Sequence, residues 1–269
     1  MIRLHLEEIV MKDIQNEKDT RNIPLDKVGV NSIFYPIQVL DKENKHQHTV
    51  ARINMYVNLP KEFRGTHMSR FIEVLDEHQN NMSIRNLEQI LDDMKTKLDA
   101  NAAHIEVRFP YFIFKKAPIS KIKSFMNYDC AFIASKKEKF DFMLEVNTPV
   151  HNLCPCSKEI SDVSAHNQRG LAKVQIRMNK LVWIEEVVEI SEQSASAPVY
   201  SLLKRKDEKY ITETAYAHPR FVEDLVRSIS IGLDQDQRIT FYSVEAVNFE
   251  SIHNHNAYAS YKKDKRLNK

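Results

Sequence analysis

Residues 148–170 read TPVHNLCPCSKEISDVSAHNQRG and lie between two stretches with the pattern of β-strands. The stretch before them contains the apolar run 142–146, and the stretch after them, 171–178, alternates apolar and polar residues. The segment carries four side chains of the kinds that bind soft metal ions: His151, Cys154, Cys156 and His166. Such ligands on a loop between two strands predict a site that a rigid frame holds in place.

Toward the N-terminus from this segment, the patterns predict four strands and two helices in the order β-β-α-α-β-β. The strands are expected at 28–40, 48–59, 103–114 and 124–134, and the helices at 66–77 and from Ser83, a residue that suits an N-cap. The first helix should bury four apolar residues that recur at helical spacing: Met68, Phe71, Ile72 and Leu75.

The same order recurs in the second half of the chain. Strands are expected at 140–150, 171–178, 238–249 and 257–261, with helices at 183–192 and 219–231. Pro219 suits the first turn of the last helix, and Gly232 stands where a C′ residue would end it. The charged run 204–209 is predicted to be a solvated loop.

These patterns divide the chain into a polar N-terminal arm (1–25), a first module (26–136), a second module that carries the cysteine segment (137–262) and a charged tail (263–269). Two helices on one face of a four-stranded sheet leave the other face and both edges open. Because such edges are usually paired or covered, we expect an α+β fold whose antiparallel sheets join into barrels in an oligomer.

Composition excludes several classes of protein. The chain has 269 residues, 42% apolar and 28% charged, with a net charge of +2, so neither a nucleic-acid-binding surface nor a membrane span is indicated. With 4 glycines it contains neither GxGxxG nor GxxxxGK[ST], the two glycine-rich phosphate loops. Three cysteines and an N-terminus without a signal-peptide core predict reduced thiols and a cytoplasmic location.

Cys154 and Cys156 are separated by a single proline, which differs from the CxxC spacing of most structural zinc sites. Three interpretations remain open at this point. One cysteine binds a metal or attacks a substrate with the other behind it; or both are small buried apolar residues; or they form a redox pair, which the short spacing would strain.

Two further histidines, His253 and His255, follow the strand expected at 238–249, in the sequence ESIHNHN. A cysteine, two histidines and a carboxylate would together form a catalytic type of metal site with a position left for water. Glu223, in the first turn of the helix expected at 219–231, is explained equally well as a carboxylate that stabilises the positive end of that helix.

Seven segments, in order along the chain, closely resemble GTP cyclohydrolase of type IB. They are 21–30 (RNIPLDKVGV), 65–71 (GTHMSRF), 144–161 (LEVNTPVHNLCPCSKEIS), 165–170 (AHNQRG), 196–209 (SAPVYSLLKRKDEK), 221–224 (FVED) and 250–259 (ESIHNHNAYA). Only 162–164 (DVS) differs from the commoner form of the central motif. An ordered set over most of the chain is far more specific than any one motif.

The resemblance implies the tunneling fold, in which paired β-β-α-α-β-β modules join their sheets into barrels in a homotetramer. It implies a hydrolase that acts on a cyclic amidine C–N bond and converts GTP and water to 7,8-dihydroneopterin triphosphate and formate, the first step of tetrahydrofolate biosynthesis. It also implies a divalent metal, with Mn²⁺, Zn²⁺ and Fe²⁺ as candidates, which would lower the pKa of a bound water.

The resemblance assigns roles to individual residues. Four match the metal-site positions of the family: Cys154, His166, Glu208 and His253. Cys154 and His166 are also the expected catalytic residues, and Glu223 matches the glutamate that binds the guanine edge. Without a glycine-rich loop the triphosphate needs cationic side chains, for which three are candidates: His67, Arg70 and Arg169.

Two other functions are compatible with parts of the pattern. A tunneling-fold nitrile reductase would use a cysteine and a purine-binding glutamate with NADPH, but it would not need a metal held by His166, Glu208 and His253. A non-enzymatic metal-binding assembly protein would bind metal without turning over GTP. Neither explains the full ordered set of matching segments.

Overall fold

In the computed structural model, residues 13–15, 17–78, 83 and 86–267 are described. Nine strands occur among them: β1 Leu25–Asp41, β2 Lys45–Leu59, β3 Ala103–Lys116, β4 Lys123–Lys136, β5 Phe140–Leu153, β6 Asn167–Met178, β7 Ala197–Pro198, β8 Ile239–Asn248 and β9 Ala257–Asp264. Eight form one antiparallel sheet in the order β1-β2-β3-β4-β5-β6-β8-β9, and the two-residue β7 pairs with β5. Each predicted strand is present.

The described residues also form six helices: α1 Met68–Glu77, α2 Leu87–Lys97, α3 Pro155–Ile160, α4 Ile184–Ser194, α5 Arg205–Ala217 and α6 Val222–Gln235. Four correspond to the predicted helices. The prediction missed α3 and α5, and α5 occupies the charged run 204–209 that was expected to be a loop. The second module therefore adds two helices to the β-β-α-α-β-β order.

The strands β4 and β5 join the two halves of the sheet. They pair from Asp129 with Asn147 to Lys136 with Phe140, and the expected module boundary between 136 and 137 falls in the turn between them. The modules therefore share one continuous sheet. In the part of the chain that the structure describes, its outer strands are β1 and β9.

The apolar alternation of the strands follows the face on which the helices lie. In β2, Ala51, Ile53 and Met55 are fully buried, whereas Val50, which lies on the opposite face, is 55% exposed. Period-2 alternation places one set of side chains under the helices and the other on the helix-free face.

Both helices of the first module differ in detail from the prediction. In α1, Phe71, Val74 and Leu75 are buried, while Met68 is 43% and Ile72 38% exposed. The second helix starts at Leu87 after Asn86, so Ser83 is not its N-cap. These two helices cover the first module from β1 to β4.

Gly232 lies inside α6 and does not end it, because the helix continues to Gln235. A Cβ at this position would stand 2.9 Å from Ile190 Cγ2 of α4. The glycine therefore permits close packing between α4 and α6, which is the physical reason for its presence.

The chain ends also differ from the expected boundaries. Strand β9 continues through Lys263 and Asp264, the first two residues of the expected tail. Most of the expected arm, residues 1–12 and 16, lies outside the described residues, and β1 begins at Leu25. No helix in the described part of the chain is long and apolar enough to cross a membrane.

Candidate active site

Cys154 stands at the junction between β5 and α3, where it is the N-cap residue of the helix. Its Sγ accepts a hydrogen bond from the backbone N–H of Ser157 at 3.4 Å. Pro155 occupies the first helical turn, where a missing N–H costs nothing. This local geometry orients the Cys154 sulfur at the end of β5.

His166 lies beside Cys154, because the chain returns from α3 to begin β6. The backbone N–H of Cys154 donates to the carbonyl of His166 at 3.1 Å, and the N–H of His166 donates to Ser157 Oγ at 3.2 Å. One backbone–backbone hydrogen bond and one bond to a serine hydroxyl thus close the loop between residues 154 and 166. The structure brings together the two residues that the resemblance predicts to be catalytic, and that role stays a prediction.

Gln168, two residues further along β6, contacts the His166 ring. Its Oε1 is 3.0 Å from His166 Nδ1, and its Nε2 donates to Glu250 Oε1 at 3.4 Å. Ser251 Oγ is 3.5 Å from the same Nδ1. The sequence drew attention to neither Gln168 nor Ser157, because amides and hydroxyls in a strand–loop segment have no distinctive spacing.

The turn between β8 and β9 brings His253 next to His166. The two imidazole rings stand 6.5 Å apart between centroids and nearly perpendicular. His255 stacks on His253 at 5.0 Å, and both of these side chains are exposed. Of the four predicted metal ligands, Cys154, His166 and His253 thus lie on segments that meet.

Glu208 is an exposed residue in the first turn of α5. In the described part of the chain, no three His, Cys, Asp or Glu side chains converge closely enough to hold a metal ion. The four predicted ligands are therefore not assembled as a set within one chain, and their assignment stays a prediction.

The neighbour of Glu208, Asp207, is fully buried and fixes the start of α5. Its carboxylate accepts backbone N–H groups of Ile119 at 2.8 Å and Ser120 at 2.7 Å, in the turn between β3 and β4, and of Lys204 at 2.9 Å. Burial alone would raise the pKa of Asp207, but these hydrogen bonds outweigh it and hold the pKa well below its usual value. A turn of the first module thereby anchors the helix that carries Glu208.

Glu223 lies in the first turn of α6, as predicted, and its side chain is exposed. It borders a cleft of about 520 Å³ between α6 and β9, whose walls include Arg227, Tyr242 and Tyr261. Among the described residues the Glu223 carboxylate has no hydrogen-bond or ion-pair partner, so it is available to donors from outside the chain.

The three candidate phosphate ligands are not close together in the chain. His67 precedes α1 and contacts Asp13 at 3.2 Å, and Arg70 in α1 donates to the carbonyl of Lys97 at 2.9 Å. Helix α1 packs on α2 and β1, whereas Arg169 lies on β6 opposite His151. The first two candidates therefore lie toward the β1 edge of the sheet, away from Cys154.

A half-buried ion pair lines a cavity of about 470 Å³. Lys115 Nζ is 2.6 Å from Glu192 Oε1, and Tyr128 donates to the same oxygen at 2.9 Å. Burial lowers the pKa of Lys115, although Glu192 opposes that effect. The pair joins β3 and β4 to α4, which forms the wall behind β5.

Cys130 is buried, Cys154 is half-buried and Cys156 is exposed; all three are free thiols. The interpretation of Cys154 and Cys156 as two buried apolar residues is therefore wrong. His151, also on β5, is half-buried, and burial lowers its pKa.

Comparison with known proteins supplies the family relationships. Residues 11–259 match a family described as type I GTP cyclohydrolase folE2. A protein of Kosmotoga olearia named GTP cyclohydrolase FolE2 is 56% identical over 257 residues, covering 96% of this chain and all of the relative. A protein of the same name from Citrifermentans bemidjiense is 55% identical over 260 residues and covers 97% of each chain.

Among solved structures, uricase from Arthrobacter globiformis has a similar fold. The TM-score is 0.54 over 89% of this chain and 93% of the uricase, with 6% sequence identity. At that identity the similarity concerns the fold alone. The predicted tunneling fold, with its antiparallel sheet and helices on one face, is confirmed.

Proposed function

The chain belongs to the type I GTP cyclohydrolase FolE2 family, and we propose that it hydrolyses GTP to 7,8-dihydroneopterin triphosphate and formate. One observation carries the proposal. The match at about 55% identity covers nearly the whole chain, and the loop where Cys154 and His166 are joined through their backbones lies within the residues 11–259 that match the family. We further propose that the product enters tetrahydrofolate biosynthesis.

A divalent metal fits the chemistry of the donor set. A thiolate, two imidazoles and a carboxylate suit Zn²⁺, Mn²⁺ or Fe²⁺. Cys154, His166 and His253 lie on adjoining segments, and Glu208 would complete the set. When bound, the metal would supply Lewis acidity toward a water molecule at the guanine ring.

The chain's own residues would then bind the base and move protons. The Glu223 carboxylate, exposed on α6, can accept hydrogen bonds from the ring N–H and the 2-amino group of guanine. Adenine lacks this pair of donors, so Glu223 would distinguish GTP from ATP. His166, held at its backbone and at Nδ1, would transfer protons as the imidazole ring opens and formate leaves.

The active enzyme is proposed to be a homotetramer. Among the described residues β1 and β9 are the outermost strands of the sheet, and edge pairing between copies would close it into a barrel. His67 and Arg70 lie toward the β1 edge, so they could meet the site of a neighbouring copy and contact the triphosphate. Arg169, on β6, would contact it from the chain that carries Cys154.

GTP is a cytoplasmic metabolite and the described cysteines are free thiols, so we propose a cytoplasmic location.

Metal removal and restoration test the proposal. The protein is stripped with chelator, reloaded with Mn²⁺ or Zn²⁺ in separate samples, and assayed with GTP for formate release and pterin fluorescence. We expect metal-dependent formate that is lost in Cys154→Ala and in Glu208→Gln. Glu213→Gln is the matched control, because Glu213 is an exposed carboxylate of the same helix that pairs with Lys209.

Absence of formate with every metal, from a protein that remains a folded oligomer, would refute the cyclohydrolase assignment. Reduction of a 7-cyano-7-deazaguanine substrate with NADPH by the metal-free protein would instead identify a nitrile reductase. Stoichiometric metal binding without either reaction would identify a binding protein.

A further inference from the structure

We propose that Gln168 is a positioning residue that fixes the tautomer of His166. In this arrangement Nδ1 of His166 carries the proton and Nε2 keeps its lone pair. The inference deepens the proposed function and rests on it for the consequence at the metal, but the tautomer itself is a property of the metal-free chain.

The neighbours of Gln168 determine the orientation of its amide. An amide can present either its oxygen or its nitrogen toward a neighbour, and its own shape does not decide which. Here the neighbour is Glu250, whose carboxylate only accepts hydrogen bonds when ionised. The NH₂ group of Gln168 must therefore face Glu250 Oε1, which lies 3.4 Å away.

The orientation of the Gln168 amide determines which nitrogen of His166 carries the proton. Since the nitrogen of Gln168 faces Glu250, its oxygen faces His166 Nδ1 at 3.0 Å. A carbonyl oxygen only accepts, so Nδ1 must donate and must carry the proton. Ser251 Oγ, at 3.5 Å from Nδ1, can accept from the same N–H and does not oppose this assignment.

Gln168 and the His166 ring are held firmly in this arrangement. Gln168 is 6% exposed, so water competes little for its amide. Its strand position is fixed by pairing with Asn152 of β5. The ring of His166 is thus held at Nδ1, while its backbone is held by Ser157 and Cys154.

This tautomer leaves Nε2 of His166 without a proton. No described residue forms a hydrogen bond with this nitrogen, and the ring lies beside that of His253. A neutral imidazole with the proton on Nδ1 presents Nε2 as a ready metal ligand or proton acceptor. Partners of this kind typically change metal affinity by about 10- to 100-fold.

The test measures the tautomer directly in the metal-free protein. Long-range ¹H–¹⁵N correlation spectra at about pH 8.5, where imidazole is neutral, distinguish the two tautomers. We expect wild-type His166 to carry its proton on Nδ1. Gln168→Met, of similar length but without an amide, should shift the population toward the Nε2–H form.

The double variant Gln168→Glu/Glu250→Gln should rescue the tautomer, because the new carboxylate still accepts from Nδ1 and the amide at position 250 restores the N–H donor between the two side chains. A merely structural role for Gln168 would not separate the Met variant and the double variant in this way. The matched control is Gln175→Met. Gln175 lies on the same strand and donates to Glu145 at 2.7 Å, so its loss removes a comparable Gln–Glu hydrogen bond without touching His166.

Zinc titration of the same metal-free proteins gives the second readout. We expect Gln168→Met to weaken zinc binding by about 10- to 100-fold, with Gln168→Glu/Glu250→Gln and Gln175→Met close to wild type. An Nε2–H tautomer in the wild-type protein, or an unchanged tautomer in Gln168→Met, overturns the inference. The predicted tautomers with zinc affinity unaffected by Gln168→Met would overturn only the ligand role of His166.

Discussion

Replacing Gly170 with alanine should damage both the sheet and the site. Gly170 follows the His166 loop in β6, opposite Val150 of β5 and Asn248 of β8. A Cβ at this position would stand 2.8 Å from both the carbonyl oxygen of Val247 and Asn248 Oδ1. The Val247 oxygen belongs to the backbone of a central strand, so it cannot move without displacing β8 from β6.

The expected cost follows from these two contacts. Inserting one methyl into a well-packed region costs about 1–3 kcal/mol. Asn248 Oδ1 also accepts a buried hydrogen bond from Asn152 Nδ2 at 2.8 Å, whose loss costs about 1 kcal/mol. We therefore expect Gly170→Ala to lower the free energy of unfolding by about 2–4 kcal/mol. The same displacement moves His166 relative to His253, so turnover of GTP should fall by roughly 100-fold.

The assay is urea unfolding of the metal-free protein, followed by GTP turnover after reloading. Gly65→Ala is the matched control for stability, because a Cβ there meets its nearest atom, Gln15 Cγ, at an ordinary 3.6 Å. The control should unfold within about 0.5 kcal/mol of wild type. If Gly170→Ala does the same, the close approach of β8 does not constrain this position and the reasoning is wrong.

Three further predictions concern charge. Glu223→Gln should reduce kcat/KM for GTP by about 10- to 150-fold, the value of one charge-assisted hydrogen bond; an unchanged kcat/KM would place guanine elsewhere. Lys115→Met should lower the free energy of unfolding by about 1–3 kcal/mol, because the half-buried Glu192 loses its charged partner; addition of Glu192→Gln should restore part of that loss in the same denaturation assay. Burial lowers the pKa of His151 below its usual 6.5, so the unfolded chain binds more protons than the folded chain and stability should decline as pH falls through that value. His151→Gln should flatten this dependence of the unfolding free energy on pH, measured between pH 5 and pH 8. An unaltered dependence would contradict the prediction.

Much of the fold could be predicted because apolar residues recur at every second position in the strands and at helical spacing in the long helices. Helix α5 could not be found in this way, since among its residues only Asp207 and Ala215 are buried and no apolar stripe forms. A different signal was present. Asp207 lies three residues after Lys204 and accepts its backbone N–H, and Glu186 and Asp224 do the same for Trp183 and Phe221. An acid at the third helical position thus marks the start of α4, α5 and α6.

The sequence predicted the part of the site that neighbouring strands bring together. Cys154 and His166 meet because β5 and β6 are adjacent strands, which the sequence pattern predicted. The position of Glu208 depends on a hydrogen-bonded turn of the other module, and the role of Gln168 depends on which way an amide faces. Neither leaves a periodic trace in the sequence, so both required the structure.

The contacts of Asp207 with Ile119 and Ser120 have a consequence for how the gene can be divided. Each half of the chain has its own strands and helices, yet the helix bearing Glu208 is secured by a turn encoded in the other half. A fragment beginning at residue 137 would lose that support together with the pairing of β4 and β5. The two halves therefore depend on each other. Separate fragments can be expected to complement one another, but neither half can be exchanged alone by recombination.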